Sequence, residues 1–328
     1  MNTYGTLFRV SIYGESHGKA IGILIDGIPA GIKLDVDLIK HDLDLRRPGS
    51  MGTTPRIERD EFSILSGYFN GYTTGSPLHV MIENTNTKSE DYEQLKKHPR
   101  PGHADFVAEV KYKGYQDYQG GGHFSGRLTA AIVIAGAIAK QIIPFHISSK
   151  IVQLGSETDP SKFDQLIETL QQEKDSIGGI IEVKATSMLV GLGEPFFHKL
   201  DAEIAKIMFS IPAVKGVEIG DGFHGVHLRG SEFNDALSDA SGKTTSNHSG
   251  GISGGISNGN DLVIKVMMKP ASSIGKPQQT YDFNQHEVKE LEVKGRHDSV
   301  IIKRAGIVLE SALAISLADF YLISKAYQ

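Results

Sequence analysis

Two apolar stretches constrain the fold of this chain more than any other feature. Ala130 to Phe145 reads as an apolar helix that stops near Pro144, and Ala305 to Tyr327 as a second, interrupted only by Glu310 and Asp319. The first is shorter than the roughly 20 apolar residues a bilayer requires, and the second would carry carboxylates into lipid, so neither is expected to span a membrane. Helices apolar on all sides have to be covered on several sides, which places both inside one large core. At 328 residues and 39% hydrophobic content, the chain is long enough to build it.

The remaining pattern is mixed. Ser161 to Lys174 sets Phe163, Leu166, Ile167 and Leu170 at helical spacing ahead of a Gly178-Gly179 stop, as a surface helix would. Ile181, Val183, Ala185 and Ser187 alternate with polar residues, and Leu262 to Met268 has the composition of a second strand. The order of helices and strands lacks the regular beat of a doubly wound sheet. Glycine makes up 37 of 328 residues, about 11% against a usual level near 7%, so its distribution carries information. Thr244 to Asn260 is too polar and glycine-rich for a regular element; it reads either as a linker or, given the strand that follows at once, as a loop that closes over a ligand. No heptads and no short-period repeat are visible.

Composition narrows the function. With no cysteine, disulfides, thiolate metal sites and cysteine nucleophiles are excluded, which fits a reducing compartment. The first ten residues lack the basic-then-apolar pattern of a secretory signal, so a cytoplasmic protein is expected. A net charge of -5 argues against a general nucleic-acid binder, so any basic site must be local.

Local basic sites are present. Gly14-Glu15-Ser16-His17-Gly18, Arg100-Pro101-Gly102-His103-Ala104-Asp105, Gly120-Gly121-Gly122-His123-Phe124-Ser125-Gly126-Arg127 and Gly295-Arg296-His297-Asp298 each combine glycine with a titratable side chain, and three of them add arginine. Glycine lets backbone approach a ligand, arginine grips phosphate or carboxylate in a fork, and histidine moves protons near neutral pH. The pattern points to an enzyme acting on a polyanion. His103, flanked by Arg100 and Asp105, suits general-acid work on a departing phosphate. His17 reads as a catalytic or a hydrogen-bonded structural histidine, and Asp298 as a base or as the partner of Arg296 in an ion pair.

Further motifs follow in order: Arg46-Arg47-Pro48-Gly49, Ile82-Glu83-Asn84-Thr85, Gly191-Leu192-Gly193-Glu194-Pro195, Val214 to Phe223, Ser246-Asn247-His248 and Lys269-Pro270-Ala271-Ser272-Ser273. With the four clusters they resemble the chorismate synthase family over nearly the whole chain, which implies one domain, 1–328. The resemblance implies an α+β fold, a βαβ sandwich of antiparallel sheets around a buried helical layer, assembled as a homotetramer. It implies a lyase of the shikimate pathway, in aromatic amino acid biosynthesis, that turns 5-enolpyruvylshikimate 3-phosphate into chorismate and phosphate by a redox-neutral 1,4-elimination. The cofactor implied is reduced FMN, with NADPH needed only indirectly to reduce it. The compact length favours an external flavin reductase as supplier.

By the same resemblance, His103 protonates the leaving phosphate, His17 stabilises charge on the reduced flavin, and Asp298 works with the flavin to remove the ring proton. Ser16, Arg46, Arg100, Ser125, Arg127 and Arg296 fall on substrate-binding positions. Flavin contacts fall on Arg46, His123, Phe124, Ser125, Pro212, Ala213, Gly254, Lys269, Pro270, Ala271, Ser272, Ser273 and Arg296; no metal is implied. The chain departs from the family pattern at His123-Phe124, usually Arg-Ser, and at Met51-Gly52, where an arginine is usual. It also departs at Pro212, often Asn, and at Ser299-Val300, usually Pro-Cys. Two other readings follow: a flavin-binding paralogue without turnover and, less well supported by the histidine and aspartate spacing, a metal-dependent phosphatase.

Overall fold

The computed structural model describes residues 2–49, 51–53, 60–85, 94–293 and 298–327. Arg296, with Gly295 and His297, lies outside the described residues, as do Arg56 and Arg59.

Alternating isoleucines build the first sheet. Its strands are β1 (Thr3–Tyr4), β2 (Arg9–Gly14), β3 (Ala20–Asp26), β4 (Phe62–Ser66) and, after the small hairpin of β5 (Tyr68–Phe69) and β6 (Tyr72–Thr73), β7 (Leu78–Glu83). They run in the order β1-β2-β3-β7-β4, every neighbour antiparallel. Register pairs Ile21 with Ile82, Ile23 with Val80 and Ile25 with Leu78, so one face of the sheet is a fully buried aliphatic layer.

The second sheet runs β10 (Val214–Ile219), β13 (Leu262–Met268), β9 (Gly179–Thr186), β8 (His146–Leu154), again antiparallel throughout. Ile181, Val183 and Ala185 on β9 and Ile264 and Val266 on β13 are fully buried, which is what their alternation predicts. A third hairpin joins β14 (Gln278–Asp282) to β15 (Glu287–Leu291).

The helices are α1 (Val36–Arg46), α2 (Asp105–Lys111), α3 (Thr129–Lys140), α4 (Phe163–Gln172), α5 (Leu200–Ser210), the single turn α6 (Gly230–Phe233) and α7 (Ile302–Ala326). The two apolar stretches are α3 and α7, which pack on each other. The outer side of α3 rests on β2, β3 and β7, and α7 rests on β8 and β9, with α1 and α5 alongside. Of the most apolar window of α7, 72% is buried in this protein's own core. The two carboxylates that interrupt α7 are both satisfied. Glu310 accepts from Ser149 Oγ at 2.8 Å and from Lys140 Nζ at 3.2 Å, and Lys140 also reaches Asp42 at 3.0 Å. Asp319 accepts the backbone N–H groups of Thr6, Leu7 and Phe8 at 2.8, 2.7 and 2.9 Å.

One expectation is corrected. The stretch from Thr244 to Asn260 does hold a regular element, the hairpin of β11 (Ile252–Ser253) and β12 (Ile256–Ser257), turned by Gly254 and Gly255 at φ 63° and 89°. Two consecutive left-handed residues suit a two-residue hairpin turn, and glycine supplies both at little steric cost. Glycine richness here therefore serves a turn. The stretch is bonded to the body by Asn247 Nδ2 to Asp261 O at 2.8 Å and by Asp235, which accepts from Ser246 Oγ and from the amides of His248 and Ser249.

The crossing of α3 and α7 depends on Gly136. A Cβ there would lie 2.2 Å from Ser311 Cβ and 2.3 Å from its Cα, so any side chain forces the helices apart. Gly136→Ala is expected to destabilise the protein by about 1–3 kcal/mol or more, as overpacking of a tight core does, even though alanine is the better helix former. Urea denaturation of the variant beside the wild type measures this.

Candidate active site

Close approach of the backbone creates the first half of the site. Gly120, Gly121 and Gly122 all take left-handed conformations, at φ 61°, 81° and 52°. A Cβ on Gly120 would fall 2.3 Å from His17 Cδ2 and 2.5 Å from Nε2; one on Gly121 would stand 3.6 Å from His103 Nε2. The triple glycine thus lies against both histidines, and at Gly120 only the lack of a side chain lets it approach His17 so closely. Ser16 donates its amide to Gly122 O at 3.1 Å, which fixes the His17 turn to this loop.

His103 belongs to a dense ionic group. Arg100 donates through Nε to Asp105 Oδ2 at 2.8 Å and through Nη2 to Oδ1 at 2.7 Å, with Nη1 on Ser273 Oγ at 2.9 Å. Burial pushes the Asp105 carboxyl up. Hydrogen bonds and charge from Arg100 and His103 outweigh this and hold it well below the usual carboxylate range.

The segment from Lys269 to Ser273 docks on the same turn. Ser272 Oγ donates to Gly102 O at 2.7 Å, Lys269 Nζ reaches Gly102 O at 3.3 Å and also bonds Ser272 Oγ, and Ala271 O accepts from Ser176 Oγ. The amide of Lys269 donates to Ala213 O at 2.9 Å, which brings Pro212 and Ala213 alongside. Burial, then the charge of Lys215, pushes the Lys269 ammonium below its ordinary value.

The second half of the site is built on a carboxylate that the sequence reading did not single out. Asp60 has a fully buried side chain and bridges Arg46, at 3.0 Å, and Arg127. Burial opposes its ionisation, but the two guanidiniums win and lower its pKa below the ordinary 3.8. Arg46, itself buried, is lowered first by desolvation and then by Arg304 and Arg127, against the pull of Asp60. Arg304 donates to Arg46 O at 2.9 Å and pairs with Asp298 at 2.8 Å. Asp298 therefore has an ion-pair partner six residues away, one the sequence reading did not consider for it. Among the described residues, three guanidiniums meet two carboxylates here.

Asn84 joins the two halves. Its amide donates to Glu15 O and Gly18 O at 3.0 and 2.9 Å, around the His17 turn, while its oxygen accepts from Arg127 Nε at 3.3 Å. Ser125 accepts the amide of Arg127 at 3.3 Å and opens the turn that leads into α3. His17, His103, Ser16, Arg100, Ser125, Pro212, Ala213 and the 269–273 segment thus converge on one neighbourhood, and Arg46, Arg127 and Asp298 on an adjoining one. Gly254 lies at its hairpin tip, with open space where a side chain would begin.

The departures have local explanations. His123 Nδ1 donates to Gly14 O at 2.9 Å, with Nε2 near Asn2 Oδ1 at 3.2 Å, so the ring ties the loop to the end of β2. Phe124 meets Tyr112 edge-on at 6.2 Å and lines a recess with His103, Asp105, Tyr118 and Gly121. Gly52 and Val300, nearly the length of the chain apart, touch each other: Val300 donates its amide to Gly52 O at 3.2 Å, and a Cβ on Gly52 would lie 3.4 Å from Val300 Cβ and 2.8 Å from Ile167. Two of the departures are one packed contact.

Histidines against a bare backbone loop, beside a group of guanidiniums, are the side chains that an enzyme site for an anionic substrate calls for. Comparison with known proteins agrees. The chorismate synthase family model matches residues 8–322. The chorismate synthase of Chitinophaga pinensis is 51% identical, over 99% of this chain and 98% of its own length. That of Methanocaldococcus jannaschii is 42% identical over 97% and 96%. A chorismate synthase crystal structure superposes with a TM-score of 0.76 at 28% identity, covering 98% of this chain and 93% of that one. The chain belongs to the chorismate synthase family.

Asp60→Asn leaves Arg46 buried without its counter-charge, and a loss of about 3–5 kcal/mol is expected in urea denaturation at neutral pH. The pH dependence has a defined sign. A carboxylate with a lowered folded-state pKa stabilises fully above the ordinary value of 3.8 and ceases to do so as pH falls through the folded-state value. Below about pH 4 the wild type should therefore lose stability more steeply than Asp60→Asn.

Proposed function

We propose that this protein converts 5-enolpyruvylshikimate 3-phosphate into chorismate and phosphate by a redox-neutral 1,4-elimination with reduced FMN bound. The observation that carries the reading is the placement of His17 and His103 against one glycine loop, next to the arginine clusters of Arg100 and of Arg46, Arg127 and Arg304, in a member of this family. The proton balance is simple: one proton leaves the substrate ring, the carbon–oxygen bond to phosphate breaks, and the departing phosphate gains a proton.

His103 gives that proton, as a positioned general acid. Asp298, oriented by Arg304, receives the ring proton. Ser16, Arg46, Arg100, Ser125 and Arg127 bind the substrate's phosphate and carboxylates, and Arg296 acts with them. The site fits FMN chemically: Lys269 is close enough to Lys215 to be depressed by it, and among the described residues its ammonium bonds only neutral oxygens, so an additional phosphate is electrostatically welcome. Lys269 to Ser273, Pro212, Ala213, His123 to Ser125, Gly254, Arg46 and Arg296 would hold the cofactor, with His17 balancing its charge. When bound, reduced FMN lends electron density to the reaction and recovers it.

The two sheets with α3 and α7 between them are read as the βαβ sandwich of the family, in a cytoplasmic homotetramer supplied with reduced FMN by a separate flavin reductase. NADPH enters only through that supply. No nucleic-acid or membrane partner belongs to this reading.

An anaerobic assay with the phosphorylated substrate and chemically reduced FMN tests it. Chorismate and phosphate should form in equal amounts with the flavin still reduced; one flavin oxidised per turnover, or no chorismate at all, would sink the proposal. Asp298→Ala should lower turnover by about 10²- to 10⁴-fold, the usual contribution of a positioned proton-transfer group, with FMN binding largely retained. The double change His123→Arg with Phe124→Ser should tighten FMN binding in a fluorescence titration, because a charge-assisted bond replaces a neutral one.

A further inference from the structure

Which ring nitrogen of His103 exchanges the proton is decided by its neighbours. Nδ1 lies 2.5 Å from Asp105 Oδ1 and 3.0 Å from Arg100 Nη2. Nδ1 cannot accept from Arg100 and donate to Asp105 at once. A bare Nδ1 would set its lone pair against a carboxylate oxygen at 2.5 Å, a repulsive contact. Arg100 Nη2 already has a better acceptor in the same oxygen, at 2.7 Å. Asp105 is held ionised, so it can only accept. The remaining oxygen, Oδ2, is taken by Arg100 N and Nε at 3.1 and 2.8 Å, so the carboxylate cannot turn away from the imidazole. With Nδ1 committed, Nε2 is the nitrogen that faces Gly121 and the glycine loop.

We infer that Asp105 is a positioning residue that keeps Nδ1 of His103 protonated, so that the proton exchanged is the one on Nε2, and that Arg100 acts on His103 by holding Asp105. The imidazolium gives its Nε2 proton to the departing phosphate, and the ring is left in its neutral Nδ1–H form. An acceptor that fixes a histidine tautomer through Nδ1 is a recurrent device where the other nitrogen does proton work. The kinetic consequence rests on the proposed elimination; the tautomer does not.

The test uses the full-length protein labelled with ¹⁵N-histidine, the His103 ring being identified by its loss in His103→Gln. Long-range ¹⁵N–¹H spectra should show Nδ1 protonated in the wild type, and this population should fall in Asp105→Asn. In the anaerobic assay, Asp105→Asn should lower kcat by at least about tenfold, part of what a mis-set general acid forfeits, with KM for the phosphorylated substrate changed by less than about threefold, and Asp105→Glu should recover part of kcat. A neutral wild-type ring protonated on Nε2 with Nδ1 bare overturns the inference, as does Asp105→Asn with kcat within about twofold of wild type. Should Asp105→Asn fail to fold, the wild-type spectrum still decides. A wild type that forms no chorismate refutes the elimination and leaves the tautomer to be judged by the spectrum.

Discussion

The van der Waals contact between Gly136 and Ser311 is the constraint on which the rest of the molecule rests. Because the two helices meet there with only the small side chain of Ser311 between them, α3 and α7 form a thin layer that each sheet can reach from its own side. Thickening the layer would separate β3 from its helix on one side or β9 on the other, and both strands have fully buried faces. Polar groups within this layer make bonds that suit a dry interior, Glu310 with Lys140 and Ser149 and Ser311 with Ile307 O.

The candidate site grows from the edge of that layer. Arg127 and Thr129 lead directly into α3, Arg304 sits in the first turn of α7 and Arg46 in the last of α1, so three guanidiniums are carried by rigid helix ends. Charges brought this close repel one another, and Asp60 and Asp298, set among them, offset that repulsion. In the other half the glycine loop contributes by absence, since any Cβ on Gly120 would displace His17.

How much of this was legible in the sequence depends on whether the signal was local. The apolar helices and the strands at 181–187 and 262–268 were readable because burial imposes a period on neighbouring residues. The histidine motifs and the 269–273 segment were readable as composition, and family resemblance gave them roles. Asp60 was not: one acid among three in the charged stretch from Arg56 to Glu61 looks like a solvated charge until folding buries it between Arg46 and Arg127. The Asp298 to Arg304 pair was not legible because Arg296 stands nearer in sequence, and only the start of α7 places residue 304 within reach. Gly52 and Val300 read as two unrelated departures, and only the tertiary structure makes them neighbours. The glycines of 244–260 read as those of a linker or of a loop closing over a ligand, whereas Gly254 and Gly255 close a hairpin, because a two-residue turn and an irregular loop call for the same residue type.

Asp319 has a consequence for the order in which the molecule is made. Its carboxylate terminates the amides of residues 6–8, at the entry to β2, from a position late in the last helix. During synthesis the first sheet therefore emerges with its entry turn lacking its acceptor until nearly the entire chain has been translated, and the second sheet waits as long for α7 to cover it. The last helix is thus needed to complete both sheets, and a chain arrested before residue 319 would leave the amides of residues 6–8 without this acceptor.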